Sequence, residues 1–188
     1  MAIARRKRRR RLKFNPQDFP LLTSQNHTVT SDPVEEQNCI GYVVGDKIRW
    51  WWPVPDFPGP LPSPYFWPLS CPLEATVEAF VSALGTVGFE RCPPGDDGRL
   101  EAQIEKLAVF TATVSEKHRT RKVPTHAAIQ SPLRNDKWRS KMGADEDIEH
   151  DLIALSGKLY GDVDFFMKRT FAAKKVALAQ LKKRMPSH

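Results

Sequence analysis

The segment from Trp50 to Pro72 constrains the fold more than any other part of the chain. It holds four of the five tryptophans (Trp50, Trp51, Trp52 and Trp67) and eight of the 16 prolines. Proline has no N–H to donate and a fixed φ, so this stretch is neither a regular helix nor a central strand. It is also too aromatic for a free linker. The economical reading is a long packed loop that covers one side of a core built by the residues around it.

Those residues carry clear periodicity. Leu73, Val77, Phe80, Val81 and Leu84 fall on one stripe and predict an amphipathic helix within residues 73–87. Asn38 is a good N-cap for a short helix that begins at Cys39 and ends near Gly45. Strand-like pieces follow at Lys106–Thr113, Thr125–Gln130, Lys137–Met142 and Gly161–Met167. Glu146–Leu155 reads as a short helix, and Arg169–Met185 as a basic helix that docks on the body. Helices grouped on a mostly antiparallel sheet make the class α+β. The expected organisation is a basic arm (1–13), an irregular lead-in (14–36), one domain (37–169) and a basic tail (170–188).

Charge is unevenly placed. The chain has 188 residues and a net charge of +7. Residues 1–13 hold eight Lys/Arg and residues 168–188 hold seven, with no acid in either. Between them lie 14 basic and 22 acidic residues, a net of −8. The high isoelectric point therefore describes two ends and not the body. The run Arg5, Arg6, Lys7, Arg8, Arg9, Arg10 and Arg11 suits nucleic acid or another polyanion, a nuclear address, or a plain solvated tail. No apolar run is long enough to span a membrane, and no apolar stretch follows the basic start as a secretory signal requires. A cytoplasmic protein with free thiols is expected, nuclear if the host has a nucleus. Three cysteines without a Cys-X-X-Cys spacing suggest neither a disulfide framework nor a zinc site, and no cofactor is called for. The acids Asp145, Glu146, Asp147 and Glu149 read as a solvated loop, one of them pairing with Lys141.

Cys39 has the address of a reactive thiol. The first turn of a helix offers free N–H groups and a dipole that lower a thiol pKa. His126, flanked by the small Thr125, Ala127 and Ala128, leaves room for a helix end and supplies a base. A buried apolar Cys and a satisfied His are the plainer alternatives. Trp50, Trp51, Trp52 and Trp138 either wall a substrate cleft beside Cys39 or seal the core. Ser140 and Lys141 are adjacent on a strand, point to opposite faces and do not form a nucleophile pair.

Six blocks in order carry a family likeness: Asn38-Cys39-Ile40-Gly41-Tyr42, Arg49-Trp50-Trp51-Trp52-Pro53, Pro124-Thr125-His126-Ala127-Ala128, Trp138-Arg139-Ser140-Lys141-Met142-Gly143, Asp147-Ile148-Glu149-His150 and Tyr160-Gly161. The series resembles an uncharacterised domain family, mostly bacterial, over residues 37–169. That family's first block reads Asn-Cys-Ile-Ala-Trp, so Gly41 and Tyr42 depart from it. The family in turn looks like a divergent papain-like fold of the NlpC type. The resemblance implies a thiol hydrolase or transferase on an amide or thioester, with Cys39 as nucleophile and His126 as base. The third slot falls near Ser140, where such folds usually carry His, Asn or Gln; His150 is the alternative orienter or a structural residue. A catalytically inactive binding module with polyanion-binding arms is the competing reading. Small papain-like domains also serve as effector or toxin modules.

Overall fold

A computed structural model describes residues 15–55, 60–116, 119–132 and 137–183. The run Arg5–Arg11 lies outside these residues. The centre is a seven-stranded sheet in the order β1-β8-β7-β6-β5-β9-β4, antiparallel at every junction. Its strands are β1 (His27–Val29), β4 (Glu90–Arg91), β5 (Ile104–Glu116), β6 (Arg119–Gln130), β7 (Lys137–Lys141), β8 (Asp147–Asp151) and β9 (Asp162–Thr170). The fold is mixed α and β, with few helices on a mostly antiparallel sheet.

Period-two alternation sorts the sheet's side chains onto two faces. Leu107, Val109, Ala127, Ile129 and Met167 meet the helices α1 (Cys39–Val44), α2 (Val77–Gly85) and α3 (Phe171–Lys183). Ala108, Phe110, Ala128, Trp138, Met142 and Ile148 form a second core with Phe19 and Leu155. The second face is thus closed by the N-terminal residues and the 3-10 turn Leu152–Leu155, not by a helix.

Local chemistry sets the helix ends. Thr76 accepts the Ala79 N–H and starts α2, so the stripe begins at Val77, while Leu73 lies outside the helix and is exposed. Gly45, at φ 87°, closes α1, a left-handed conformation that favours glycine. The basic tail docks as α3 through Ala177 and Leu181, with Leu178 packed against Gly45.

The covering segment is a loop around one short parallel pair, β2 (Trp50–Trp51) and β3 (Tyr65–Phe66). Two expectations need correction. Glu146–Leu155 is not a helix: Ile148 and His150 are buried while Asp147, Glu149 and Asp151 face outward, the alternation of strand β8. The lead-in is not wholly irregular either, because β1 pairs with β8 in the register His27↔His150 and joins the sheet.

Candidate functional site

The site starts at the first turn of α1. Asn38 Oδ1 accepts the N–H groups of Gly41 (2.9 Å) and Trp51 (3.1 Å), and Nδ2 donates to the Trp51 carbonyl (3.1 Å). One side chain therefore caps the helix and ties it to β2. Asp46 completes the clamp: its carboxylate takes Trp51 Nε1 at 2.8 Å and Arg49 Nε at 2.7 Å. Cys39 is held between these ties and is buried. The backbone N–H groups of Ala127, Ile40 and Cys39 itself reach its sulfur and favour the thiolate. Burial outweighs all three and pushes the thiol up to about 11. The lowered pKa expected of a helix-start cysteine is therefore overturned. A six-residue helix brings a weak dipole, and Cys39 is buried.

His126, Ser140 and His150 lie on three neighbouring strands, all completely buried. His126 Nε2 is 2.9 Å from Ser140 Oγ, and Ser140 Oγ is 2.8 Å from His150 Nε2. His150 Nδ1 is 2.7 Å from the Asp151 carbonyl oxygen. Burial pulls His150 down to about 4 and holds His126 well below 6.5, with His150 adding to the latter, so both rings are neutral at pH 7.

Neutral rings make the direction of every hydrogen bond deducible. A carbonyl only accepts, so His150 carries its proton on Nδ1. His150 Nε2 then holds a lone pair and accepts the Ser140 hydroxyl proton. Ser140 Oγ in turn accepts from His126 Nε2–H. His126 Nδ1 is left with a lone pair, buried and without a hydrogen-bond partner. Serine alone sets no direction, because a hydroxyl both donates and accepts. His150 and the Asp151 carbonyl set it here.

The ring of Tyr160 lies flat on His126, 4.0 Å between centroids and 8° from parallel, and Phe110 meets His126 edge-on at 5.5 Å. Cys39 sits in the helix-side core, whereas His126 packs on the opposite face. Pairing between β6 and β7 is registered at Ile129↔Arg139 and Gln130↔Trp138 and not at His126. The Ala127 backbone favours the Cys39 thiolate, and Ala127 belongs to the helix-side face. Sulfur and imidazole therefore lie on opposite faces of β6, with no hydrogen bond joining them.

The tryptophans do not wall a cleft together. Trp51 is 1% exposed against Phe66, Trp52 packs edge-on against Phe80, and Trp138 sits in the other core against Phe166. Trp50 is half-buried beside Tyr65 and donates to the Glu35 carbonyl. Lys141 points away from Ser140, onto the Asp145 carbonyl and toward Asp147 at 3.9 Å. Among the described residues, no three His, Cys, Asp or Glu side chains converge as a metal site needs.

All of these groups lie within residues 28–168, which match a family described as a domain of unknown function (DUF7689). The chain belongs to the DUF7689 family. No curated protein and no solved structure matches it. The DUF7689 span runs from β1 into β9, so residues 15–27 and α3 lie outside it. Sequence reasoning gave Tyr160 and Asp151 no role. Tyr160 stood in the last block as a signal; Asp151 contributes only its backbone carbonyl, which no residue type advertises. Among the described residues, no helix is long and apolar enough to cross a membrane.

Proposed function

We propose that this DUF7689 domain is a papain-like thiol hydrolase or acyl transferase of the NlpC type, acting on amide or thioester bonds. The observation that carries the reading is the bare lone pair on His126 Nδ1, fixed in direction through Ser140 and His150, on the strand whose next residue, Ala127, packs in one core with the helix-opening Cys39. The chain order supports it too: Cys39 on a helix, then His126, Ser140 and His150 on successive strands of an antiparallel sheet.

In the reaction, Cys39 Sγ attacks the substrate carbonyl carbon while its proton passes to His126 Nδ1, a transfer that requires the imidazole, packed on the opposite face of β6, to turn toward the sulfur. The backbone N–H groups that favour the thiolate, those of Cys39 and Ala127, are the donors assigned to the developing oxyanion. Collapse expels the amine or thiol, which takes the proton from His126 and leaves a thioester on Cys39. Water, or an acceptor nucleophile, loses a proton to His126 and attacks that thioester, releasing the product and restoring the thiol. The resting pair is neutral, thiol and imidazole, so His126 acts as a general base and not as half of a standing ion pair. Entry of substrate requires the ring of Tyr160 to leave His126.

The test is acyl transfer to Cys39 from a panel of aryl thioesters and peptide anilides, read by intact and peptide mass spectrometry. Wild type gains one acyl group on Cys39, Cys39→Ser gains none, and His126→Ala is slower by about 100-fold. No adduct, or equal rates in wild type and His126→Ala, returns the domain to a binding scaffold. The polyanion reading of Arg5–Arg11 rests on the charge of that run alone.

A further inference from the structure

Residues 15–26 cover the imidazole side of the site from outside the DUF7689 span. The segment is tied locally: Asp18 N–H and Phe19 N–H donate to the Asn15 carbonyl, Leu22 N–H to the Phe19 carbonyl, and Asn26 bonds Thr23 N–H and the Leu21 carbonyl. At its end the Asn26 carbonyl accepts the Asp151 N–H at 3.0 Å, and ahead of that its grip on the domain is apolar at Phe19. Phe19 is 5% exposed and meets Tyr160 edge-on at 5.0 Å between centroids. Tyr160 in turn stacks on His126 at 4.0 Å. The three rings form a column from the N-terminal segment to the base.

The loop that carries Tyr160 is pinned by the same segment. Gly157 and Gly161 close it by exchanging backbone hydrogen bonds at 2.9 and 2.7 Å. Asp18 O and Pro20 Cδ come so close to Gly157 that a Cβ there would lie 2.5 and 2.6 Å from them. Thr125 Oγ1 holds the Tyr160 carbonyl from beneath. Residues 18–20 therefore press on both ends of one short loop, at Gly157 and at Tyr160.

We infer that residues 15–26 are an autoinhibitory strap, and that release of Phe19 from Tyr160 uncovers His126. This rests on the hydrolase reading for its purpose, though its geometry is independent of Cys39. The strap's separation from the family span fits a regulator added to the domain. Its apolar hold makes it removable: withdrawing Phe19 breaks contacts between rings and leaves the antiparallel ladder intact.

The test is carbethoxylation of His126 by diethyl pyrocarbonate in the full chain, with N-acetylhistidine in the same tube as the rate reference and peptide mass spectrometry as the readout. Two variants loosen the strap by different means: Phe19→Ala removes the wedge, and Gly157→Ala drives a methyl group into Asp18 and Pro20. Phe80→Leu, in the helix-side core, is the control for general loss of stability. His126 should label at least about tenfold faster in both strap variants and near the wild-type rate in Phe80→Leu. Unchanged labelling in the strap variants overturns the inference, as does an equal rise in Phe80→Leu. Acyl transfer to Cys39 is measured alongside. Faster His126 labelling with no acylation in any variant keeps the strap and removes the hydrolase; acylation of Cys39 without faster labelling does the reverse.

Discussion

His150 Nδ1 stands 2.7 Å from the Asp151 carbonyl, and this one contact orients a chain of protons that ends at His126. Ser140 passes the direction on because its hydroxyl accepts what His126 offers and donates what His150 lacks. His150→Phe removes the acceptor and frees the Ser140 hydroxyl to reverse. His126 then loses its preference for carrying the proton on Nε2. On the proposed hydrolase reading, acyl transfer falls by about tenfold and the pH–rate profile changes shape, which a purely structural loss would leave alone. Steady-state rates from pH 5 to 9 on wild type, His150→Phe and Ser140→Ala check this.

Acid should unfold the domain through its buried imidazoles. His150 holds its proton about 2.5 pH units less well when folded, near 4 against 6.5 unfolded, so below 6.5 the unfolded state binds the extra proton. Stability from this group is complete above pH 6.5 and is lost as pH falls toward 4, by about 3 kcal/mol in all. His126 shifts in the same direction and steepens the loss. Urea denaturation at half-unit pH steps should show the decline, and His150→Phe should flatten it. His27 and Lys137, which lower the His150 pKa, and Asp151, which raises it, tune the window.

Asn38→Ala should cost about 3 kcal/mol, more than an ordinary cap, because the side chain serves both α1 and Trp51. Thermal and urea midpoints measure it. Asn38→Asp keeps the two accepted bonds and loses the donated one, so it should fall between wild type and Ala.

Gly41→Ala should destabilise by about 2 to 3 kcal/mol although alanine favours helices. A Cβ there would lie 2.5 Å from the Arg49 carbonyl oxygen. Gly41 stands where the resembled block carries Ala, so the turn after α1 comes closer here than that block implies. An unchanged melting temperature in Gly41→Ala would show that the turn yields at no cost.

Much of this was legible in the sequence where the signal is local. Asn38 and Gly45 mark the ends of α1, proline keeps the stretch after Trp52 from any regular element longer than the two-residue β3, and the Val77 stripe gives α2. The misread element is β8, whose acids suggested a helix while Ile148 and His150 already alternated. β1 was hidden because three residues carry no period; the sheet edge at β8 makes them a strand. The site divides the same way. The direction of the hydrogen bonds at Ser140 was hidden because the atom that sets it is a backbone oxygen at Asp151. The Cys39 pKa was misjudged in sign because the depth of burial, which dominates it, is a tertiary property.

The most direct test of the central claim is the two-bond hydrogen–nitrogen NMR spectrum of the histidines at pH 7, in wild type and Cys39→Ala. The account predicts a neutral His126 with its proton on Nε2, a neutral His150 with its proton on Nδ1, and a His126 Nδ1 resonance that moves when the sulfur is removed. A His126 proton on Nδ1, or an Nδ1 resonance indifferent to Cys39, contradicts it.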